Sequence, residues 1–300
     1  MSEAPRSGLL DPAVLARVGD LELVARSAVA GFLHGLHRTP RLGVSGDFAE
    51  HRPYQPGDDI RRLDWRVYGR SDRFYVKECQ ADTNTSVLIS LDVSASMSFA
   101  SGAVTKFQYA RLLAAALAWF SQRQGDRIGL TTFAGGVVDF VPCSTRHLRH
   151  VLHALERAEP NGKGAPLDGV RAVAERLGRS GIVVLISDWY AAPEALRAEL
   201  AGLRVRGHEV IALHVMDPAE RTFPYDEPAP FEDLESGDRM SVVPASVAAR
   251  YRERMAAHLE SLDRELMGYG IDYTRFETSE PLDVALRAYL VRREAMMRVR

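Results

Sequence analysis

Chemistry in this chain starts where apolar runs stop. Residues 86–91 read SVLISL and lead at once into Asp92-Val93-Ser94-Ala95-Ser96. The pattern is D-x-S-x-S, a carboxylate and two hydroxyls at alternate positions. On an extended turn, alternation puts these side chains on one side. Hard oxygen donors of this kind suit Mg2+ or Mn2+ rather than soft, thiophilic metals. A second run, IVVLIS at 182–187, also stops at an aspartate, Asp188, which offers another carboxylate directly or through water. Two carboxylates leave a divalent ion with open, electrophilic positions that an incoming carboxylate can fill. Ser and Asp are also common helix caps, and the pattern alone is short. The placing of both aspartates at the ends of apolar runs is what gives it weight.

Those runs have the character of strands buried on both faces, and residues 209–215 form a third. Helical spacing covers residues 106–122, 145–158, 167–177, 193–205, 245–267 and 281–293. Further strands are predicted at 127–133, 137–141 and 271–276, with Ala134-Gly135-Gly136 marking a hairpin. A second hairpin is predicted through 231–243, turning at Ser236-Gly237-Asp238. Strands alternating with helices imply an α/β fold: a doubly wound, mostly parallel sheet with helices on both faces. Ligands of such sheets sit beyond the carboxyl ends of the strands, where Asp92 and Asp188 fall. Upstream, residues 11–36 have helical spacing. Pro40, Gly43, Gly46, Pro53, Pro56 and Gly57 break the pattern over 39–69, and 74–78 alternates weakly as a strand.

Other chemical candidates fail. His147, His150 and His153 drift around a helix instead of converging, and they fit a surface helix better than zinc. Asn161-Gly162-Lys163-Gly164 lacks the first glycine and the hydroxyl of a phosphate loop. No G-x-S-x-G nucleophile elbow is present. Arg292, Arg293, Arg298 and Arg300 form a basic tail that a helix C-terminus accommodates without nucleic acid.

Composition narrows the class. The 300 residues are 46% hydrophobic and 26% charged, with a net charge of −2. A disordered or fibrous chain is excluded, and neither a nucleic-acid nor a polybasic membrane partner is expected. Cys79 and Cys143 are too few for a disulfide scaffold or a cysteine-rich zinc site, so a reducing cytoplasm is the expected setting. No apolar run reaches the roughly 18 residues of a membrane span, and none is expected.

At Asp92–Ser96, its strand and Gly125-Asp126-Arg127-Ile128-Gly129-Leu130, the sequence resembles a von Willebrand factor type A domain. The resemblance implies a metal-ion-dependent adhesion site, with Asp92, Ser94, Ser96 and Asp188 as ligands of Mg2+ or Mn2+. The family's threonine ligand, in a G-T-x-L element, matches Gly164-Ala165-Pro166-Leu167, so Ala165 stands where a hydroxyl is expected. The metal is then held weakly, completed by water or absent; Asp168 is a nearby substitute.

Upstream, Arg52-Pro53-Tyr54-Gln55-Pro56-Gly57-Asp58-Asp59 and Arg61-Arg62-Leu63-Asp64-Trp65 resemble the signature of the bacterial domain-of-unknown-function family 58. With Gly46-Asp47-Phe48 and Val76-Lys77, the resemblance covers nearly the whole chain from about residue 30. It divides the chain into an N-terminal extension, 1–84, and a type A-like domain, 85–300. Arg52, Tyr54, Asp58, Asp59, Arg61, Asp64 and Trp65 fit either a partner-docking surface or an internal ion-pair network that pins an irregular segment. The implied function is a non-enzymatic protein-interaction module working with a MoxR-type AAA+ ATPase, a client protein or both in a chaperone-like or complex-maturation role. The alternatives are a metal-dependent hydrolase using the same ion, and a degenerate site on a structural scaffold.

Overall fold

The computed structural model describes residues 11–18, 20–33, 50–53, 68–69, 74–78, 85–163, 166–178 and 180–297. Contacts divide the chain into two units, Met1–Leu42 with Ser86–Arg300, and Gly43–Thr85. In the smaller unit, β1 (Glu50–Pro53) pairs antiparallel with β2 (Tyr75–Glu78), and Arg52 stands opposite Val76. The strand at 74–78 is found, whereas β1 falls in a stretch read as irregular. Its sequence, EHRP, has no apolar alternation to announce it. Tyr54, Asp58, Asp59, Arg61, Asp64 and Trp65 lie outside the described residues, and Arg52 is placed by its backbone alone.

The larger unit opens with α1 (Pro12–Leu15) and α2 (Leu21–Leu33). One continuous helix is expected here. Instead Asp11 caps α1 through Ala13 N (2.8 Å), and Asp20 restarts the chain by accepting from Leu23 N (3.0 Å). Leu21, Val24, Ala25, Ala28 and Val29 line one face of α2 and are all buried. That face joins the main core, so α2 belongs with the sheet. Contacts group α1 and α2 with the sheet, and β1 and β2 with the smaller unit.

The rest of the unit runs β3 (Ser86–Asp92), α3 (Lys106–Arg123), β4 (Arg127–Phe133), β5 (Val137–Ser144), α4 (Leu148–Arg157), α5 (Pro166–Arg176) and β6 (Ile182–Ser187). It continues through α6 (Pro193–Val205), β7 (Glu209–Met216), α7 (Pro218–Thr222), β8 (Ala229–Glu232), β9 (Arg239–Val242), α8 (Pro244–Gly268), β10 (Asp272–Glu277) and α9 (Leu282–Met297). The six-stranded sheet has the order β10-β7-β6-β3-β4-β5; all neighbours are parallel except the edge strand β5.

Strand alternation splits the core into two layers. Val87, Ile89 and Leu91 of β3 join Ile182, Val184 and Ile186 of β6 in the layer with α2, α3, α4 and α9. Leu88, Val183 and Leu185 face the opposite layer with α5, α6 and α8. Burying each such side chain contributes roughly 1.5–3 kcal/mol. Helices on both faces confirm the doubly wound α/β reading. Helix α3 is Ala-rich and buried nearly all round, and a capping box between Thr105 and Gln108 starts it. Arg293, read as part of a basic tail at a helix C-terminus, is 2% exposed and pairs with Glu209 and Asp272, each at 2.7 Å. The two carboxylates hold it inside.

Candidate functional site

The chain passes from β3 to β4 on one side, then returns from β5 to β6 on the other. The crevice between β3 and β6 is thus the topological switch point, the place where doubly wound sheets bind ligands. Asp92 ends β3 and Asp188 follows β6 directly, so both carboxylates stand at its mouth. Asp92, Ser94 and Asp188 are each 1% exposed or less.

Local chemistry shapes the Asp92 loop. Asp92 Oδ1 accepts from Ser94 N (2.8 Å), and Oδ2 accepts from Ser187 Oγ (2.6 Å). Ser94 Oγ and Ser96 Oγ lie 3.1 Å apart. Ser94 is the extended N-cap of a single 3-10 turn, Ala95–Ser98, and Ser96 lies inside that turn, so the turn, not extended alternation, brings the two hydroxyls together. From beneath, residues 161–163 clamp the loop. Gly162 N donates to Val93 O (2.8 Å), and Ala95 N donates to Gly162 O (3.1 Å). A Cβ at Gly162 would stand 2.9 Å from Val93 O and closer still to the Ala134 Cβ. Only glycine permits that approach.

Asp188 has a partner that its sequence position does not announce. Lys106, the first residue of α3, places Nζ 2.8 Å from Asp188 Oδ2 and 2.6 Å from Glu220 Oε1. A cation at a helix N-terminus opposes the helix dipole, so the two carboxylates are what make it tolerable. Burial draws the Lys106 pKa down, but the charges of Asp188 and Glu220 outweigh burial and raise it above the ordinary value. Burial pushes the Glu220 carboxyl up, and Lys106 offsets only part of that. Glu220 also closes a capping box on α7, accepting from Asp217 N at 2.9 Å. Asp217 is a third strand-tip aspartate; it caps α7 and accepts from Ser101 N (2.8 Å) and the Ser101 hydroxyl.

Asp188 Oδ1 is buried and has no hydrogen-bond partner among the described residues. Burial, reinforced by the charge of Asp188, pushes the Asp92 carboxyl up to about 7, while the Ser187 and Ser94 hydrogen bonds pull it down. Lys106 pairs with Asp188 and Glu220, so one ammonium faces two carboxylates and the Asp92 carboxyl beside them has only hydroxyl and backbone N–H partners. The donors that remain, one orphan carboxylate oxygen, the Asp92 carboxylate and two adjacent hydroxyls, are all hard oxygens. They fit Mg2+ or Mn2+.

The further sequence candidates fall elsewhere. Ala165 lies outside the described residues. Asp168 is exposed in the first turn of α5 and pairs with Arg171 at 3.1 Å, so it does not join the cluster. His150 and His153 are exposed on α4, as read, and His147 Nδ1 lies 2.7 Å from Pro142 O. Sequence reasoning missed Ser187, Lys106, Glu220 and Glu235. Ser187 and Glu220 each adjoin an aspartate or cap motif, which was the only local signal available.

Glu235 comes from the turn between β8 and β9, and its Oε1 accepts from Ser96 N at 2.8 Å. Below that turn, beside Ser96, a cleft of about 410 Å³ is lined by Phe99, Lys106, Tyr190, Glu220 and Phe231.

A doubly wound sheet with an acidic, hydroxyl-rich cluster at its switch point is an α/β protein of the architecture that the von Willebrand factor type A resemblance implies. More particularly, the chain belongs to the family described as protein of unknown function DUF58, whose sequence profile matches residues 50–261. Uncharacterized proteins of Mycobacterium tuberculosis and Mycobacterium bovis are 30% identical to it over 272 residues, spanning 88% of this chain and 85% of theirs. Similar solved structures include the conserved hypothetical protein BatB from Bacteroides thetaiotaomicron, 18% identical with a TM-score of 0.46, spanning 71% of this chain and 99% of that one. An aerotolerance-related membrane protein from Bacteroides fragilis is 19% identical with a TM-score of 0.45, spanning 69% and 99%. No described helix of the present chain is long and apolar enough to cross a membrane.

Proposed function

We propose that this protein is a non-enzymatic, cytoplasmic interaction module that engages a protein partner through a divalent cation held by Asp92, Ser94, Ser96 and Asp188. Its partner is a MoxR-type AAA+ ATPase, a client protein or both, in a chaperone-like or complex-maturation role. The single observation that carries the metal reading is Asp188 Oδ1, a buried carboxylate oxygen without a partner, beside an Asp92 carboxyl pushed up to about 7. Lys106 already meets Asp188 Oδ2, so the cost left for a second cation to relieve lies at Oδ1 and at Asp92. When bound, Mg2+ would neutralise this charge and present an open position to an acidic side chain of the partner. The cleft beside Ser96, with aromatic walls and a carboxylate rim, supports an extended partner segment lying against the site.

The ATPase assignment rests on the family resemblance alone. The test is a pull-down of a MoxR-type ATPase by the wild-type chain, by Asp92→Ala and by wild type in chelator. Binding is expected for the first and lost for the other two. Undiminished capture in all three would overturn metal-mediated recognition.

A further inference from the structure

We propose that the cleft beside Ser96 takes a basic, amphipathic peptide segment of a protein partner, with apolar side chains inside the cleft and Arg or Lys along its rim. This rests on the interaction-module reading above, but not on its cation. The cleft has a volume of about 410 Å³, and Phe99, Tyr190, Tyr225, Phe231 and Leu234 form its apolar walls. Tyr190 is 40% exposed and Leu234 41%. Large apolar side chains left open in a concave surface are where a partner's apolar side chain gains burial. The walls are fixed in advance. Phe231 stacks on Phe223 with centroids 5.6 Å apart and meets Tyr225 edge-on at 5.2 Å, and Phe223 meets Tyr251 of α8 at 4.8 Å. Glu235 Oε1 accepts from Ser96 N (2.8 Å), which ties the turn of the β8–β9 hairpin to the Asp92 loop. A cleft formed beforehand lowers the ordering cost of binding.

Charge decides the occupant. Residues 226–238 carry six carboxylates and no Lys or Arg, in a chain whose net charge is only −2. Lys106, on the cleft wall, is committed to Asp188 and Glu220. Glu232 pairs with Arg239 at 2.8 Å. The other five, Asp226, Glu227, Asp233, Glu235 and Asp238, meet no cationic side chain among the described residues. An anionic segment is repelled along this rim. Arg or Lys gains the free carboxylates and the faces of the aromatic walls. Those walls already receive one cation, since Lys106 Nζ lies 5.0 Å from the Tyr190 ring centroid. The acidic side chain that would meet the cation then has basic and apolar neighbours in the partner.

The experiment selects a phage-displayed library of random peptides on the full chain in chelator. Fluorescence anisotropy of the enriched peptide then compares wild type, Glu227→Lys combined with Asp238→Lys, Leu234→Ser, and Glu175→Lys on α5 as a charge control away from the cleft. All four positions are exposed, so thermal unfolding of each variant should match wild type. Enriched sequences should combine Arg or Lys with Leu or aromatic residues. Affinity should fall on the order of tenfold for the double charge reversal and for Leu234→Ser, and stay unchanged for Glu175→Lys. Enrichment of acidic or uncharged sequences, no enrichment, or equal binding by all variants overturns the inference. So does self-association of the wild type that the same variants abolish, because a second copy then fills the cleft. Chelator removes the cation from this experiment. Its failure therefore leaves metal-mediated capture to the pull-down above, and failure of that pull-down leaves this result standing.

Discussion

Lys106 Nζ lies 2.8 Å from Asp188 Oδ2, joining the first residue of the central helix to the residue that follows β6. Both side chains are 1% exposed. The pair anchors α3 over the switch point and decides how much charge the site retains. Lys106→Met removes the ammonium and leaves Asp188 and Glu220 buried without it. A loss of ~3–5 kcal/mol is expected, read by denaturant unfolding in chelator. Mg2+ should recover part of that loss, because the emptied site is more negative and ligand binding to the folded state adds stability. A variant that is as stable as wild type in chelator would show that the pair contributes nothing.

Asp92 gives a pH signature. Its ordinary pKa of 3.8 rises to about 7 on folding, chiefly through burial and then through Asp188. Below 3.8 the carboxyl holds its proton in both folded and unfolded chains, and no difference arises. Between the two values only the folded chain keeps the proton, so stability from this group falls as pH rises, and above about 7 the loss is complete. The full loss is on the order of a few kcal/mol. Asp92→Asn should therefore be more stable than wild type at pH 8 in chelator, with a flatter pH profile. Identical profiles would mean that Asp92 does not titrate in this range. Protons and cation compete for the same oxygens, so Mg2+ affinity of the wild type should weaken from pH 8 to pH 6.

Gly162 tests the clamp beneath the loop. A Cβ there meets Val93 O at 2.9 Å and the Ala134 methyl more closely. Gly162→Ala is expected to cost ~1–3 kcal/mol through forced displacement. It should also weaken Mn2+ binding, because the displaced backbone carries Ser94. Unchanged affinity together with lowered stability would separate the clamp from the site.

Helix α2 tests the grouping of the first residues with the sheet. Ala28 is fully buried in the main core. Ala28→Asp introduces an unpaired buried charge and should destabilise the whole unit, by several kcal/mol, in a single transition. A separate, earlier transition would show that α2 folds apart from the sheet.

The strands were legible because apolar runs such as SVLISL and IVVLIS leave no polar face, and only a two-sided core accepts that. Asp92, Ser94 and Ser96 were legible as near neighbours because they are two residues apart, but Ser96 meets Ser94 through a 3-10 turn and not through extended alternation. The split of the N-terminal helix was not, because Asp20 acts as a cap through a local hydrogen bond that competes with continued helical spacing. The role of Asp217 was hidden for a similar reason: a strand-tip aspartate can serve a ligand or a helix cap, and the partner decides which.

By itself, then, the sequence determined the fold class, the family and the pair of aspartates at strand tips, since those depend on periodicity and on neighbours a few residues apart. Tertiary structure alone decided what surrounds the carboxylates. Lys106 lies 82 positions from Asp188, Ser187 95 from Asp92, and Glu235 139 from Ser96. Charge compensation in a buried site depends on distance in space, and chain folding, not residue spacing, sets that distance.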